Sequence, residues 1–271
     1  KQKVVLDNTN WHSFLRILIR LGFKSRDLIS SQNAVIYTYI FYLLGKTEYK
    51  IDHKELDRVI AKWFFMVNLT SRYSASPESQ MESDINRVKE CKTAADFIRF
   101  IEQTISGNLT NDFWNISLPK DFLVTSSANS PAGNTFFACQ ISNSEKVLFS
   151  DRFIGDLFDP TLKLKKKVLE RHHIFPANYL KKSGVKQTER NQIANMVYLE
   201  FQDNIKISDD SPKKYFFEVR DKYYKDKADQ LKKLLKSHCI PENFYDMEYA
   251  DFLDKRRVMI ADYIKKTFEK I

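Results

Sequence analysis

The feature that most constrains the fold of this chain is the recurrence of apolar residues at intervals of three and four. It is most regular near the C-terminus, in YADFLDKRRVMIADYIKKTF, where the apolar positions are Tyr249, Phe252, Leu253, Met259, Ile260, Tyr263, Ile264 and Phe268. Residues at this spacing lie on one face of an α-helix and can be buried together. The sequence therefore predicts an amphipathic closing helix.

Four segments of the first half are also predicted to be helices: 10–23, 31–44, 52–69 and a segment that begins near Ser76. Gly45 is expected to end the second, because glycine readily adopts the left-handed conformation common after a helix. Asp52 and Glu55 are expected to form a capping box at the start of the third. Pro77 suits the first position of the fourth, with Ser76 as its N-cap.

The composition supports a helical, globular chain. Six glycines and seven prolines among 271 residues disfavour a turn-rich all-β architecture. Hydrophobic residues make up 43% of the chain and aromatic residues 14%, too much for a disordered protein. The longest apolar run, 34–44, is shorter than the roughly 18 residues of a membrane span, so no membrane association is expected. Three scattered cysteines, Cys91, Cys139 and Cys239, fit a reducing, cytoplasmic location and exclude a zinc site built from cysteines.

The positive charge is concentrated in the C-terminal part. Residues 161–271 hold 25 Lys/Arg and 17 Asp/Glu, which leaves 19 and 18 for residues 1–160, out of a net charge of +9. Clusters of lysine attract polyanions, because bound phosphates release their counterions. A lysine-rich surface that is simply solvated would have the same composition. The lysine clusters therefore have two interpretations, a nucleic-acid-binding surface and an ordinary solvated surface.

The chain divides into three predicted parts. Residues 1–160 are expected to be a helical domain, with an irregular junction near 106–134 where Ser, Asn, Gly and Pro are frequent. Residues 135–150 suit either a helix or a strand. Residues 161–220 have a different pattern and form a predicted compact unit. Residues 221–271 are expected to be C-terminal helices that pack back on the helical body.

The compact unit contains two predicted short strands. KKKVLE leads into a pair of adjacent histidines, ANMVYLE follows a polar loop, and FQDNIKIS is predicted to be a short helix or turn. Strand, loop, strand and helix within about forty residues is a common small motif.

The histidine pair, His172 and His173 in ERHHIFPANYL, is the strongest candidate for chemistry. Neutral histidine can act as a base near pH 7 or bind a metal. Neighbours on a strand point to opposite faces, so one ring could bind a metal while the other activates a water. Two ordinary, partly buried or exposed histidines would give the same dipeptide. The residues that flank the pair are needed to choose between these two interpretations.

The flanking residues resemble a nuclease motif. HHIFP, Asn195 in QIANMVYL and Asn204 in DNIKISDDSP resemble the HNH pattern of ββα-metal nucleases, and more narrowly the version at the C-terminus of GmrSD-type restriction endonucleases. WFFMVNLTSRYSASPESQMESDI and FLDKRRVMIADYI are similar to the same family, so the resemblance extends from roughly residue 55 to the C-terminus. It implies a mainly α fold, in which a helical body carries a small inserted ββα-metal (HNH) unit.

The resemblance also implies roles for individual residues. His173 would be the general base that activates water, and Asn195 the asparagine that holds the loop around it. His172 and Asn204 would be metal ligands, with His172 at a position where related nucleases often have Asp. Lys206 would contact the phosphate. Asn204 also suits an ordinary helix cap and Asn195 an ordinary turn, which are the alternatives to these roles.

The implied cofactor is a divalent metal. One imidazole, an amide oxygen and several waters suit Mg²⁺ or Mn²⁺. The histidine in place of Asp makes the site less anionic, which favours Mn²⁺ or Ni²⁺. The implied partner is DNA, whose backbone would contact the lysine clusters on either side of the histidines: Lys165, Lys166, Lys167, Lys181 and Lys182.

The sequence thus predicts a metal-dependent DNA endonuclease of a restriction or phage-defence system. Two alternatives stay open, namely a nucleic-acid-binding or regulatory module with an inactive HNH unit, and a nuclease that cuts RNA. The family's N-terminal nucleotidase-like domain has no counterpart here, so the chain is expected to be the C-terminal part of a longer protein. One metal site cuts one strand at a time, so a double-strand break would need a homodimer or two successive nicks.

Overall fold

The computed structural model describes residues 2–158, 171–199 and 210–271, and these residues are mainly helical. Residues 2–158 contain seven α-helices: α1 (Gln2–Val5), α2 (Asn8–Arg20), α3 (Gln32–Thr47), α4 (His53–Thr70), α5 (Pro77–Lys89), α6 (Ala94–Asn108) and α7 (Pro131–Ser142). A π-helix, Phe113–Phe122, lies between α6 and α7, and two 3₁₀ turns span Arg26–Leu28 and Ile154–Phe158. The prediction of a mainly α fold is confirmed.

The remaining described residues add a small sheet and more helices. Strands β1 (Arg171–His173) and β2 (Met196–Tyr198) are antiparallel, and the short helices α8 (Ala177–Lys182) and α9 (Gln187–Arg190) lie between them. A 3₁₀ turn at Ile193–Asn195 leads into β2. The chain ends with α10 (Pro212–Tyr223), α11 (Ala228–Ser237), a 3₁₀ turn at Phe244–Asp246, and α12 (Tyr249–Phe268). The predicted strand KKKVLE and the predicted turn FQDNIKIS lie outside the described residues.

Helix α4 is the centre of the body. It packs against α2, α3, α6 and α7, and Trp63 and Phe64 on it are completely buried. The ring of Phe41 on α3 lies 4.8 Å from that of Trp63. Most of the helical half is therefore built around one aromatic-rich core.

Two predicted helix ends differ from the structure. Gly45 lies inside α3, and a Cβ there would lie 2.5 Å from a methyl group of Leu56, so glycine permits the close approach of α3 to α4. Asp52 caps α4 by accepting from the Lys54 amide at 3.0 Å. Glu55 instead binds Arg58 at 2.7 Å, so the predicted capping box forms only in part.

The predicted irregular junction at 106–134 is largely helical. It contains the end of α6, the π-helix and the start of α7, and only 109–110 and 123–130 lack a helix. Trp114 and Leu118 of the π-helix are buried, and this helix packs against α12. Burial against α12 outweighs the local loop signals, including Pro119 inside the π-helix. Of the ambiguous 135–150, the residues up to Ser142 are helical.

The two-stranded sheet separates two hydrophobic clusters, because the side chains of a strand alternate between its faces. Tyr198 packs with the body cluster, where its ring lies 4.5 Å from that of Phe137. Val197 and Ile174 belong to the second cluster, which also includes Phe216 of α10. We call these the body core and the hairpin core.

Helix α12 joins the two cores. Ile260 and Ile264 belong to the body core, whereas Phe252 and Leu253 belong to the hairpin core. The helix packs against the π-helix and α7 of the body and against the 3₁₀ turn before β2. In the part of the chain that the structure describes, every helix is too short or too polar to cross a membrane.

Candidate active site

The histidine pair lies on β1. His172 is opposite Val197 and His173 is opposite Met196 in the antiparallel register. The two rings therefore point to opposite faces of the sheet, and both are partly exposed. His173 shares its face with Arg171. This placement is compatible with two separate roles for the rings.

The ring of His173 is held by a residue that sequence reasoning missed. Its Nε2 lies 2.9 Å from the side-chain oxygen of Asn191. Asn191 is half-buried and directly follows α9. The segment TERNQ reads as an ordinary polar loop, so only the fold reveals that this asparagine reaches the histidine.

Asn195 ties together the two ends of the loop that connects β1 to β2. It is completely buried, and its side-chain oxygen accepts from the Phe175 amide at 2.8 Å. Its side-chain nitrogen donates to the Phe175 carbonyl at 3.1 Å and to the Arg190 carbonyl at 3.0 Å. Backbone contacts of this kind are what the resemblance implies for Asn195, whereas its part in catalysis stays a prediction.

Helix α12 fixes the loop that carries Asn191 and Asn195. The Tyr249 hydroxyl donates to the Glu189 carbonyl at 2.8 Å. The Arg257 guanidinium donates to the side-chain oxygen of Gln192 at 2.8 Å. Because both contacts come from one long helix, the loop is held against a rigid element.

Arg256 makes the most buried of these contacts. Its guanidinium donates to the Ala194 carbonyl at 2.7 Å and the Met196 carbonyl at 3.0 Å. It also donates to the His238 carbonyl at 3.0 Å. Burial lowers the pKa of Arg256 to about 10, so the side chain still carries its charge at neutral pH. A cation shared among backbone carbonyls thus joins α12 to the start of β2.

Arg171 anchors the other strand to the body. It donates to the Ala128 carbonyl at 2.7 Å and to the side-chain oxygen of Asn134 at 3.1 Å. Its guanidinium lies 4.8 Å from the centre of the Phe137 ring and 5.9 Å from that of Tyr198, both within cation–π range. The first residue of β1 is therefore fixed to α7.

The predicted DNA-binding lysines are only partly within the described residues. Lys181 and Lys182 are exposed in the last turn of α8, which begins four residues after His173. Lys186 is also exposed, just before α9. The remaining predicted contacts lie outside the described residues: Lys165, Lys166, Lys167 and Lys206.

The predicted metal site has one of its two protein ligands among the described residues. His172 is partly exposed on β1, and Asn204 lies outside them. A single imidazole fits the implied set, in which an amide oxygen and waters complete the shell. Across 2–158, 171–199 and 210–271, no three His, Cys, Asp or Glu side chains are grouped as they would be around a metal ion. The metal stays a prediction.

Comparisons with known proteins find similarity to a protein that is described as uncharacterized. No family model matches the chain, and no solved structure matches it. It is 27% identical over 205 residues to the uncharacterized protein MJ0686 of Methanocaldococcus jannaschii. The similarity covers 73% of this chain and 32% of that protein. The chain therefore spans about a third of the length of this relative.

Proposed function

We propose that this chain is an HNH endonuclease that uses a divalent metal to hydrolyse DNA phosphodiester bonds, with His173 as the general base. The observation that carries the proposal is the fixed environment of a partly exposed imidazole. His173 lies on a strand whose turn is bonded to the buried Asn195, and its own ring is bonded to Asn191. A base must be held in one position to activate water efficiently.

In the proposed reaction, His173 takes a proton from water while the water oxygen bonds to phosphorus. The bond from phosphorus to the 3′ oxygen breaks, and that oxygen is protonated from solvent. The products are a 5′-phosphate and a 3′-hydroxyl. His172 and Asn204 would hold the metal, which when bound would offset negative charge on the phosphate and the departing oxygen.

The rest of the proposed site binds and positions the duplex. Lys181 and Lys182 project from α8 close in sequence to β1, and they would contact backbone phosphates rather than bases. Lys165, Lys166, Lys167 and Lys206 are proposed to do the same. Because β1 and β2 are anchored to α7 and α12, the His173 ring would keep a fixed position relative to the bound DNA strand.

The proposed setting is a restriction or phage-defence protein of the cytoplasm. The chain spans about a third of its relative's length, which is compatible with further domains in a longer protein. The nucleotidase-like domain of GmrSD-type enzymes is the proposed neighbour. Recognition of modified DNA would then belong to that domain.

Cleavage of supercoiled plasmid in Mg²⁺, Mn²⁺, Ni²⁺ or EDTA tests the proposal. We expect nicking that requires metal and is lost in His173→Ala, with open circles appearing before linear DNA. His12→Ala, on the exposed side of α2, is the matched control and should cut like wild type. The melting temperature of each variant separates lost chemistry from lost folding.

Three outcomes would contradict the proposal. Cleavage that survives in His173→Ala would remove this residue as the base. Retention of DNA in a gel shift, without cleavage in any metal, would favour a binding module. Cleavage of a single-stranded RNA of the same sequence, with DNA left intact, would move the substrate to RNA.

A further inference from the structure

The contact between His173 and Asn191 determines where the imidazole proton lies. The side-chain oxygen of Asn191 is 2.9 Å from Nε2 of His173. An amide oxygen can only accept a hydrogen bond, so Nε2 must carry a proton. A neutral imidazole has one proton, which leaves the lone pair of the ring on Nδ1.

We propose that Asn191 is a positioning residue that keeps the proton of neutral His173 on Nε2 and so makes Nδ1 the atom that accepts the proton from water. The proposal rests on the proposed function, in which His173 is the general base. Asn191 is not among the residues that the HNH resemblance implies. Its role follows from the bond that the fold creates.

Asn191 is held in place from both sides. The carbonyl of the preceding residue, Arg190, accepts from the side-chain nitrogen of Asn195 at 3.0 Å. The side chain of the following residue, Gln192, accepts from Arg257 at 2.8 Å. Neither end of this short segment can shift without breaking a contact to a buried or helical residue. The Asn191 oxygen therefore meets the ring from a fixed direction.

The same bond fixes the orientation of the ring. Rotation of the imidazole by half a turn about its bond to Cβ would exchange the position of Nδ1 with that of Cδ2, and the position of Nε2 with that of Cε1. It would also break the bond from Nε2 to Asn191. Groups that orient a catalytic histidine in this way fix its tautomer as well as its angle. Asn191 supplies both effects without adding a charge.

Nitrogen NMR of the metal-free chain tests the tautomer directly. With ¹⁵N-labelled histidine, long-range proton–nitrogen correlations at alkaline pH show which ring nitrogen is protonated, and His173→Gln assigns the signal among the five histidines. We expect the Nε2–H form for His173 in wild type. Asn191→Leu, similar in shape but without an acceptor, should yield a mixture of the two forms. Asn191→Asp keeps an acceptor oxygen and should retain the wild-type form.

Cleavage kinetics test the consequence. Asn191→Leu should lower kcat by about 10- to 100-fold and leave KM for plasmid unchanged, and Asn191→Asp should recover most of the rate. Asn86→Leu, exposed on α5, is the matched control and should change neither the tautomer nor kcat. A merely structural role for Asn191 would not produce this rescue by Asp.

The outcomes separate this proposal from the function on which it rests. An active wild type with His173 in the Nδ1–H form would overturn the role of Asn191 and leave the nuclease intact. A wild type in the Nε2–H form that cuts no nucleic acid would remove the proposed function, and with it the role of Nδ1 as proton acceptor. Equal kcat in Asn191→Leu and wild type would also overturn the proposal.

Discussion

Asn195 and Phe175 are joined by two hydrogen bonds that run in opposite directions. The Phe175 amide donates to the Asn195 side-chain oxygen at 2.8 Å, and the Asn195 side-chain nitrogen donates to the Phe175 carbonyl at 3.1 Å. Phe175 lies just after β1 and Asn195 just before β2, so the pair closes the base of the loop that connects the two strands. Both residues are buried, and water cannot easily replace these bonds.

Asn195→Ala should therefore lower the free energy of unfolding by about 2–4 kcal/mol, because buried backbone groups of Phe175 lose their partners. Urea denaturation followed by circular dichroism measures the change. Asn115→Ala, exposed on the π-helix, is the matched control and should stay within about 0.5 kcal/mol of wild type. Equal losses in the two variants would contradict a special role for the buried amide.

Arg256→Met should destabilise the chain and loosen the hairpin. The substitution leaves the carbonyls of Ala194, Met196 and His238 without the guanidinium. The first and last of these residues are buried, so the expected loss is about 3 kcal/mol or more. Hydrogen exchange at 190–198 should accelerate more than exchange in α4.

Lys255→Met is the control for this change, because Lys255 is the exposed neighbour on α12. It should alter neither stability nor exchange by a measurable amount. Uniform acceleration in every helix of Arg256→Met would indicate loss of global stability alone, and would contradict a local role in the hairpin.

The sequence best predicts the helices whose ends and buried face are determined by residues of the helix itself. Helix α12 begins at Tyr249 and ends at Phe268, as its apolar stripe predicts. Helix α5 begins at Pro77, because proline fixes the backbone angle of the first turn. In both cases the residues that predict the helix lie within one short segment of the sequence.

The features that sequence does not predict depend on distant partners. The sequence around Gly45 predicts the end of a helix, whereas in the structure this glycine lies where α4 approaches α3 closely. The sequence around Asn191 predicts only a polar loop, whereas in the fold its side chain contacts His173. The sequence does contain an indication that Arg256 is buried, since this residue lies between Leu253 and Ile260 on the apolar stripe of α12. A charge within such a stripe predicts a buried polar contact, although it does not identify the partner.

The buried His238 predicts a pH dependence of stability. Burial lowers its pKa to about 4 from the ordinary 6.5. Between these two pH values the unfolded chain binds a proton at this ring that the folded protein excludes. The stability that His238 contributes is thus complete above about pH 6.5 and is lost as the pH falls toward 4, by about 3 kcal/mol in all.

Urea denaturation at several pH values between 4 and 7.5 would measure this loss. His238→Gln keeps a donor for the Lys146 carbonyl, which the His238 ring contacts at 2.8 Å, but it cannot titrate. Its stability should fall less steeply with acid than that of wild type. His12→Gln, exposed on α2, should retain the wild-type slope. Parallel slopes for wild type and His238→Gln would contradict the prediction.

The exposed lysines of α8 predict how DNA binding responds to salt. If Lys181 and Lys182 each neutralise one phosphate, the double change to Gln should reduce the slope of log affinity against log salt by about 2, equally for DNA of different sequences. Fluorescence anisotropy with duplexes in EDTA measures binding without cleavage. The double change of Lys89 and Lys92 to Gln removes one exposed charge in the last turn of α5 and one just after that helix, and it should leave the slope unchanged. Equal slopes in all three proteins would place the DNA on another face, because counterion release depends only on the charges that touch phosphate.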